Sequence, residues 1–268
     1  MKELKISIVT PNYNYGNFIS ETIQSVINQD YKNYEYIIVD DGSTDNSIEV
    51  IQNYVDKYPD KVKLIQQENS GQTNAINRAL KITTGEIIGW INSDDFYCDN
   101  VFGFVNDYFM ANPETDVIFS DLRKVDQSST LISTKKYLDF DFKAGCLIGF
   151  GNLIANNTAF FRATVLKRVG YLDESLEYVM DSEFWFRVGK CCKVKKVNKL
   201  IGNFRVHSLA KSKQPQQFII EEQELRKIYY EELIISKFLP FYLGKHLKYI
   251  YLIKRKISKY LDRTSYET

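Results

Sequence analysis

The first 95 residues alternate between β-branched runs and helical periodicities, and this alternation constrains the fold more than any other feature. Residues 5–10 (KISIVT) form an apolar run stopped by Pro11, which predicts a buried strand. Phe18, Ile19, Ile23, Val26 and Ile27 follow at helical spacing, with Asn17 as the expected N-cap. Residues 34–39 (YEYIIV) predict a second strand, and Ile48, Ile51, Tyr54 and Val55 a second helix. Residues 62–65 predict a short strand, Ala75, Ile76, Ala79 and Leu80 a helix, and residues 86–91 (EIIGWI) a fourth strand. Such an alternation is the signature of an α/β protein with a mostly parallel central sheet flanked by helices. Ligands of such sheets bind beyond the carboxyl ends of the strands. Three polar clusters fall at those ends: residues 11–15, 40–45 and 92–95.

The second half is less regular. Residues 116–120 and 159–162 read as strands and residues 164–169 and 181–188 as short helices, and from about 216 the chain reads as helical to its end. The formal net charge of +1 gives no global field to attract nucleic acid. The charge is unevenly spread, however. Residues 237–268 hold eight Lys or Arg against Asp262 and Glu267, so a basic tail follows an acidic body. At 100° per residue, apolar positions from Leu243 to Leu261 fall on one face and most of the basic residues from Lys245 to Arg263 on the other. That pattern suits a helix lying on an anionic membrane surface through residues 237–263. Docking on the chain's own acidic body, or on the partner in a homodimer, is the alternative. Cys98, Cys146, Cys191 and Cys192 form no CxxC pair and read as idle thiols of a reducing compartment. No apolar stretch reaches the length of a membrane span, and the first residues lack the pattern of a signal peptide. A cytoplasmic protein, peripheral on the inner face of the membrane if the tail binds there, is the expectation.

Four groups of residues can carry chemistry. Asp94-Asp95 follows a buried strand, where two adjacent carboxylates are costly unless a cation lies between them. Hard oxygen ligands of this kind suit Mg2+ or Mn2+ completed by phosphate oxygens. Capping of the next helix is the structural alternative. The Asp40-Asp41-Gly42-Ser43 turn can accept hydrogen bonds from a ribose or base, or can merely cap. Asp181 opens a helix, where the dipole favours a carboxylate; it is a general-base candidate or an N-cap. His207, with Arg205, Lys211 and Lys213 nearby, can face a diphosphate or pack structurally. There is no GxGxxG after the first strand and no GxxxxGK[ST], which excludes a standard dinucleotide dehydrogenase and a P-loop NTPase.

IVTPNYN at 8–14, VDDGSTD at 39–45, GWINSDD at 89–95, GYLDESLEYVMDSEFWFR at 170–187 and FRVH at 204–207 together resemble family 2 glycosyltransferases of the GT-A fold, of the bacterial surface-polysaccharide type. The resemblance spans about 200 residues, in order and at the usual intervals. It implies a Rossmann-like GT-A domain over 1–215, with a nucleotide-sugar-binding half (1–100) and an acceptor half (101–215), and a basic amphipathic extension over 216–268. It implies that Pro11, Tyr13 and Asp41 contact the base, that Asp94 lies near the ribose or sugar, and that Asp95 binds Mn2+ or Mg2+. Asp94 and His207 are further candidates for the metal or diphosphate, and Asp181 matches the family's general base. The implied activity is transfer of a hexose-type sugar, with inversion, from a nucleotide-diphospho-sugar, UDP-sugar favoured, to a hydroxyl of a glycan or lipid-linked acceptor. The region of Asn156-Asn157-Thr158 and residues 173–178 is expected to shape the acceptor site.

Two departures stand out: Met180 replaces the usual Glu before Asp181, and GQTNAINRAL at 71–80 replaces the family's ARN segment, with Asn74 where a related subgroup has Asp. The processive-synthase QxxRW motif is absent. A sugar-phosphate nucleotidyltransferase and a non-catalytic nucleotide-sugar-binding homologue are the rival readings. The Asp181 segment opposes the first, and the joint presence of Asp94, Asp95, Asp181 and His207 opposes the second.

Overall fold

The computed structural model describes residues 3–150, 153–208 and 215–235. The first half follows its hydrophobic pattern: β1 (Ile6–Asn12), α1 (Gly16–Ile27), β2 (Tyr34–Asp40), α2 (Ser47–Lys57), β3 (Val62–Gln66), α3 (Gln72–Lys81) and β4 (Ile87–Trp90). Every residue of β1 and β2 is buried, as strands covered by helices on both faces require. The two-residue period of the strands divides their side chains between two cores. Ile6, Ile8, Tyr36 and Ile38 pack with Ile19 and Ile23 of α1. Val9, Ile37 and Val39 pack with Ala75 and Ile76 of α3.

The second half contributes β5 (Phe96–Tyr97), α4 (Val101–Ala111), β6 (Val117–Phe119), β7 (Leu122–Val125), β8 (Leu131–Lys135) and α5 (Phe142–Ile148). A 3-10 turn (Asn156–Thr158) then leads into β9 (Phe160–Arg162), α6 (Thr164–Val169), α7 (Met180–Cys191), β10 (Val194–Lys196), β11 (Gly202–Arg205) and α8 (Pro215–Ile235). The central sheet has seven strands in the order β10-β6-β9-β4-β1-β2-β3. Only β9 runs antiparallel to its neighbours, so the sheet is mostly parallel, as expected. A second sheet, β5-β11-β7-β8, is not foreseen by the sequence pattern; it pairs Tyr97 with Gly202 and Leu122 with Lys135. Gly202 permits this junction, because a Cβ there would lie 2.0 Å from the carbonyl oxygen of Asn157.

Asn17 is not the N-cap of α1. The helix begins at Gly16, and the Asp45 carboxylate, from the loop after β2, accepts hydrogen bonds from the amides of Gly16 and Ser47, both at 2.9 Å. One carboxylate thus satisfies the starts of two helices. Burial alone would raise its pKa, but these hydrogen bonds outweigh burial and hold it below the usual range. The expected helix from about 216 is present as α8 as far as Ile235, whereas the basic stretch 237–263 lies outside the described residues. No described helix is long and apolar enough to cross a membrane.

Candidate active site at the carboxyl edge of the sheet

The β1–β4 ladder ends at Val9 and Trp90, while the β1–β2 ladder runs on to Asn12 and Asp40. Beyond Val9 the first and fourth strands therefore part, at the point where the strand order reverses. In open α/β sheets the ligand crevice lies at such a point. Pro11, which has no N–H to give to a ladder, sits past the last β4 pair and is buried. Tyr13 is exposed.

The carboxylates at the end of β2 are already engaged. Asp40 accepts from the side chains of Asn12 and Ser43, both at 2.7 Å, and from the Ser43 amide, which joins the ends of β1 and β2. Asp41 accepts from Gln67 Nε2 at 2.6 Å and from the amides of Ser70 and Gly71 at 2.9 and 2.8 Å. Gly42, at φ +79°, lets the loop after β3 approach so closely, since an added Cβ would meet the Asn69 amide at 3.0 Å. A carboxylate has about four lone-pair directions, so Asp41 keeps one for a further donor.

Asp94 and Asp95 lie between β4 and β5. Asp95 is buried, and Oδ1 accepts from the Arg205 amide at 3.0 Å. Burial, then the Asp94 charge, push its pKa well above the ordinary carboxylate value, against the smaller opposing effect of Arg205. Asp94 Oδ2 is 2.9 Å from His207 Nε2, and the His207 ring packs between Phe18 and Tyr15. The pKa of Tyr15 is raised by burial and then by the same two carboxylates.

Arg205 does not face a diphosphate, contrary to the sequence reading. Its guanidinium is buried and donates to the carbonyls of Asp94 and Gln127, to Ser129 Oγ and to Glu21. It holds the loop that carries the carboxylate pair, while its charge is spent on Glu21. Lys211 and Lys213 lie outside the described residues.

A cavity of about 370 Å³ has both Asp95 and Asp181 in its wall. Asp181 is the second residue of α7, not its cap; the helix is entered through Val179. Its Oδ1 accepts from the Ser182 amide at 2.7 Å and its Oδ2 from Asn156 Nδ2 at 3.0 Å. Asn156 Oδ1 in turn accepts from Trp185 Nε1 at 2.7 Å, which fixes the orientation of its amide. Burial raises the Asp181 pKa, and the two hydrogen bonds counter that only in part. One face of the second sheet forms the opposite wall: Leu122 and Lys124 of β7, Lys135 of β8 and Phe204 of β11, as their registers require. Gln72, Trp90 and Asn92 close the end nearest β4.

The structure thus brings Asp94, Asp95 and His207 into one cluster and Asp95 and Asp181 to one cavity. Pro11, Tyr13 and Asp41, at the ends of β1 and β2, do not line that cavity. Lys124 and Glu221 carry no local motif, and the Glu221 partners lie some 40 residues away in the chain, so neither is marked in the sequence. The unusual segment at 71–80 has a structural use: Asn74 and Asn77 donate to the Glu174 carboxylate at 2.9 and 2.8 Å. An Asp at 74 would set a second negative charge against Glu174.

Among the described residues no three His, Cys, Asp or Glu side chains form a ready-made metal cage. The donor chemistry still fits a divalent cation. Mg2+ and Mn2+ sites of nucleotide-binding enzymes use one or two carboxylates and take the rest of the shell from phosphate and water. Asp95 is a carboxylate whose charge burial and then Asp94 disfavour, and His207 Nδ1 is buried with no hydrogen-bond partner among the described residues.

The family model for glycosyl transferase family 2 matches residues 7–170, well over half of the chain. An uncharacterized glycosyltransferase of Nostoc is 36% identical over 133 residues, covering 47% of this chain and 41% of its own length. Staphylococcus aureus TarS residues 1–349, solved with UDP-GlcNAc, superposes with a TM-score of 0.67 at 21% identity, over 84% of this chain and 66% of that one. A mannosyltransferase from Pyrobaculum calidifontis, solved with GDP-Man and Mn2+, gives a TM-score of 0.59 at 18% identity, over 78% and 59%. The chain therefore has the GT-A architecture, and it spans less than half the length of the Nostoc relative.

Proposed function

The chain belongs to glycosyl transferase family 2, and from that premise we propose that it transfers a hexose-type sugar from a nucleotide-diphospho-sugar, a UDP-sugar in the first instance, to a hydroxyl of a glycan or lipid-linked acceptor, in the assembly of a bacterial surface polysaccharide. The observation that carries this reading is the presence of Asp95 and Asp181 in the wall of one cavity. The nucleoside lies along the crevice past Pro11, Tyr13 and Asp41, and the sugar enters the cavity. Asp95, with Asp94 and His207 beside it, would hold a divalent cation. Bound there, the cation neutralises charge on the leaving diphosphate.

Asp181 takes the proton from the acceptor hydroxyl. The Asn156 amide keeps the Asp181 carboxylate turned into the cavity and partly offsets the burial that favours its neutral form. The acceptor oxygen attacks the anomeric carbon from the face opposite the diphosphate, so the configuration inverts. Gln72, Asn92 and Asn156 supply neutral polar contacts, Lys124 and Lys135 positive charge, and Trp90, Leu122 and Phe204 apolar surface to the same cavity.

The test is a thermal-shift screen of the full chain against nucleotide-sugars, with Mn2+ and with EDTA, followed by product analysis. A ligand that binds only the folded state raises the melting temperature. A UDP-sugar should do so in Mn2+ and lose most of the effect in EDTA, and turnover should release free nucleoside diphosphate. Release of pyrophosphate, or full activity in EDTA, would overturn the mechanism.

A further inference from the structure

Helix α8 begins only after residue 214, beyond every motif that identifies the family, yet it reaches the site. The Glu221 carboxylate accepts from three consecutive amides at the entry to α7: Tyr178 at 2.8 Å, Val179 at 3.2 Å and Glu177 at 3.3 Å. Val179, the N-cap position of α7, offers no side-chain cap of its own. Val179 is the N-cap position and Glu177 and Tyr178 precede it, so the Glu221 carboxylate pins the chain entering α7 and lies near the positive end of the helix dipole.

The attachment extends beyond this one side chain. Leu225 and Tyr229 of α8 are buried, and the Tyr229 ring packs on Phe150 and Phe186. Tyr229 Oη lies 3.4 Å from Ser182 Oγ, one residue past Asp181. Phe218 and Glu222, one turn apart, line the same cavity as Asp181. Residues 177–182, which Glu221 and Tyr229 grip, also line it.

We propose that Glu221 is a positioning residue for Asp181: by holding the amides of residues 177–179 it fixes the first turn of α7, and with it the direction in which the Asp181 carboxylate faces the acceptor hydroxyl. The inference rests on the reading of Asp181 as general base. Met180 lies between the held amides and Asp181, and its buried thioether side chain has no carboxylate to offer the helix start. The anchoring charge comes instead from a helix some 40 residues further along the chain.

The test uses the full chain with Glu221→Ala, Glu221→Gln and Glu221→Asp. Donor affinity is read by titration with UDP in Mn2+, and turnover by nucleoside diphosphate release from the UDP-sugar that gives the largest thermal shift in wild type. Glu221→Ala should lower kcat at least tenfold while UDP affinity stays within about twofold of wild type. Glu221→Gln, which keeps an accepting oxygen but loses the charge, should fall between, and Glu221→Asp should recover part of the loss. Hydrogen exchange at amides 177–179 should speed up in the same order. Unchanged kcat in a folded Glu221→Ala variant overturns the proposal. So does a parallel loss of kcat, UDP affinity and melting temperature in all three variants, which marks general destabilisation. If wild type itself turns over no UDP-sugar, the functional reading fails instead, and the exchange data still report whether the clamp exists.

Discussion

Asp95 is held where its charge is unwelcome. An acid whose folded-state pKa is raised destabilises the fold above that of the unfolded chain, because the ionised form is the one the fold disfavours. Asn at this position keeps an oxygen for the Arg205 amide and removes the repulsion from Asp94. Asp95→Asn should therefore raise ligand-free stability by about 1 kcal/mol, as substitutions that relieve a functional site often do. The same variant should lose transfer activity and the Mn2+ dependence of nucleotide binding. A melting curve at pH 7 with EDTA, beside the activity assay, checks both. Asp181 makes a second prediction through its pKa. Since burial raises it, the acid limb of kcat should lie above the ordinary carboxylate range of about 4. Removing the Asn156 donor with Asn156→Ala leaves the charged form less stabilised, so that limb should move to still higher pH. Asp181→Asn should lower kcat by roughly 10²-fold with little change in donor affinity. A pH–rate profile with an unmoved limb in Asn156→Ala would separate Asn156 from the base.

Elements are tied together by another buried carboxylate. Glu35 of β2 accepts from Ser7 Oγ of β1 at 2.6 Å and from the amide and hydroxyl of Thr84, in the loop before β4. Lys5 and Lys63 lie within 4 Å of its other oxygen. Burial would raise its pKa, but the Ser7 and Thr84 hydrogen bonds and then the Lys5 charge bring it down to about 2. A depressed acid stabilises the fold above its unfolded pKa and loses that contribution as pH falls through the folded value. Glu35→Gln should cost on the order of 2 kcal/mol at pH 7, allowing for solvent screening, and the difference from wild type should vanish between about pH 4.5 and 2. Denaturant melts across that range check it. These central strands were legible in the sequence because each carries an unbroken apolar run, and the helices between them because their apolar residues repeat every three or four positions. The second sheet was not. Strands of two to five residues, such as Phe96–Tyr97 and Gly202–Arg205, have no period to detect, and partners more than a hundred residues away define them. The same limit governs the site. Asp94, Asp95 and Asp181 stood out through local motifs, but the structural duty of Arg205 and the reach of Glu221 depend on contacts that only the folded chain makes.

For the whole molecule, the contrast between an acidic body and a basic tail yields a prediction that rests on sequence alone. Each Lys or Arg near an anionic bilayer is worth on the order of 1 kcal/mol. The full chain should therefore sediment with anionic vesicles at low salt, bind less as salt rises, and lose binding when cut to residues 1–236. A full chain that stays in the supernatant assigns the tail to docking or self-association. The junction of Arg205 with Asp94 and Asp95 matters for a different reason. Arg205 and Asp95 are 110 residues apart in the chain, and Glu221, which holds the amides before α7, comes from further on still. On the ribosome, strands β1 to β4 emerge first and can assemble as a sheet while the rest is still being made. The Asp94 and Asp95 side chains lack their partners His207 and Arg205 until that stretch has cleared the exit tunnel, and the entry to α7 lacks Glu221 until residue 221 has done so. A nascent or prematurely terminated chain can thus form the central strands long before the candidate site is complete.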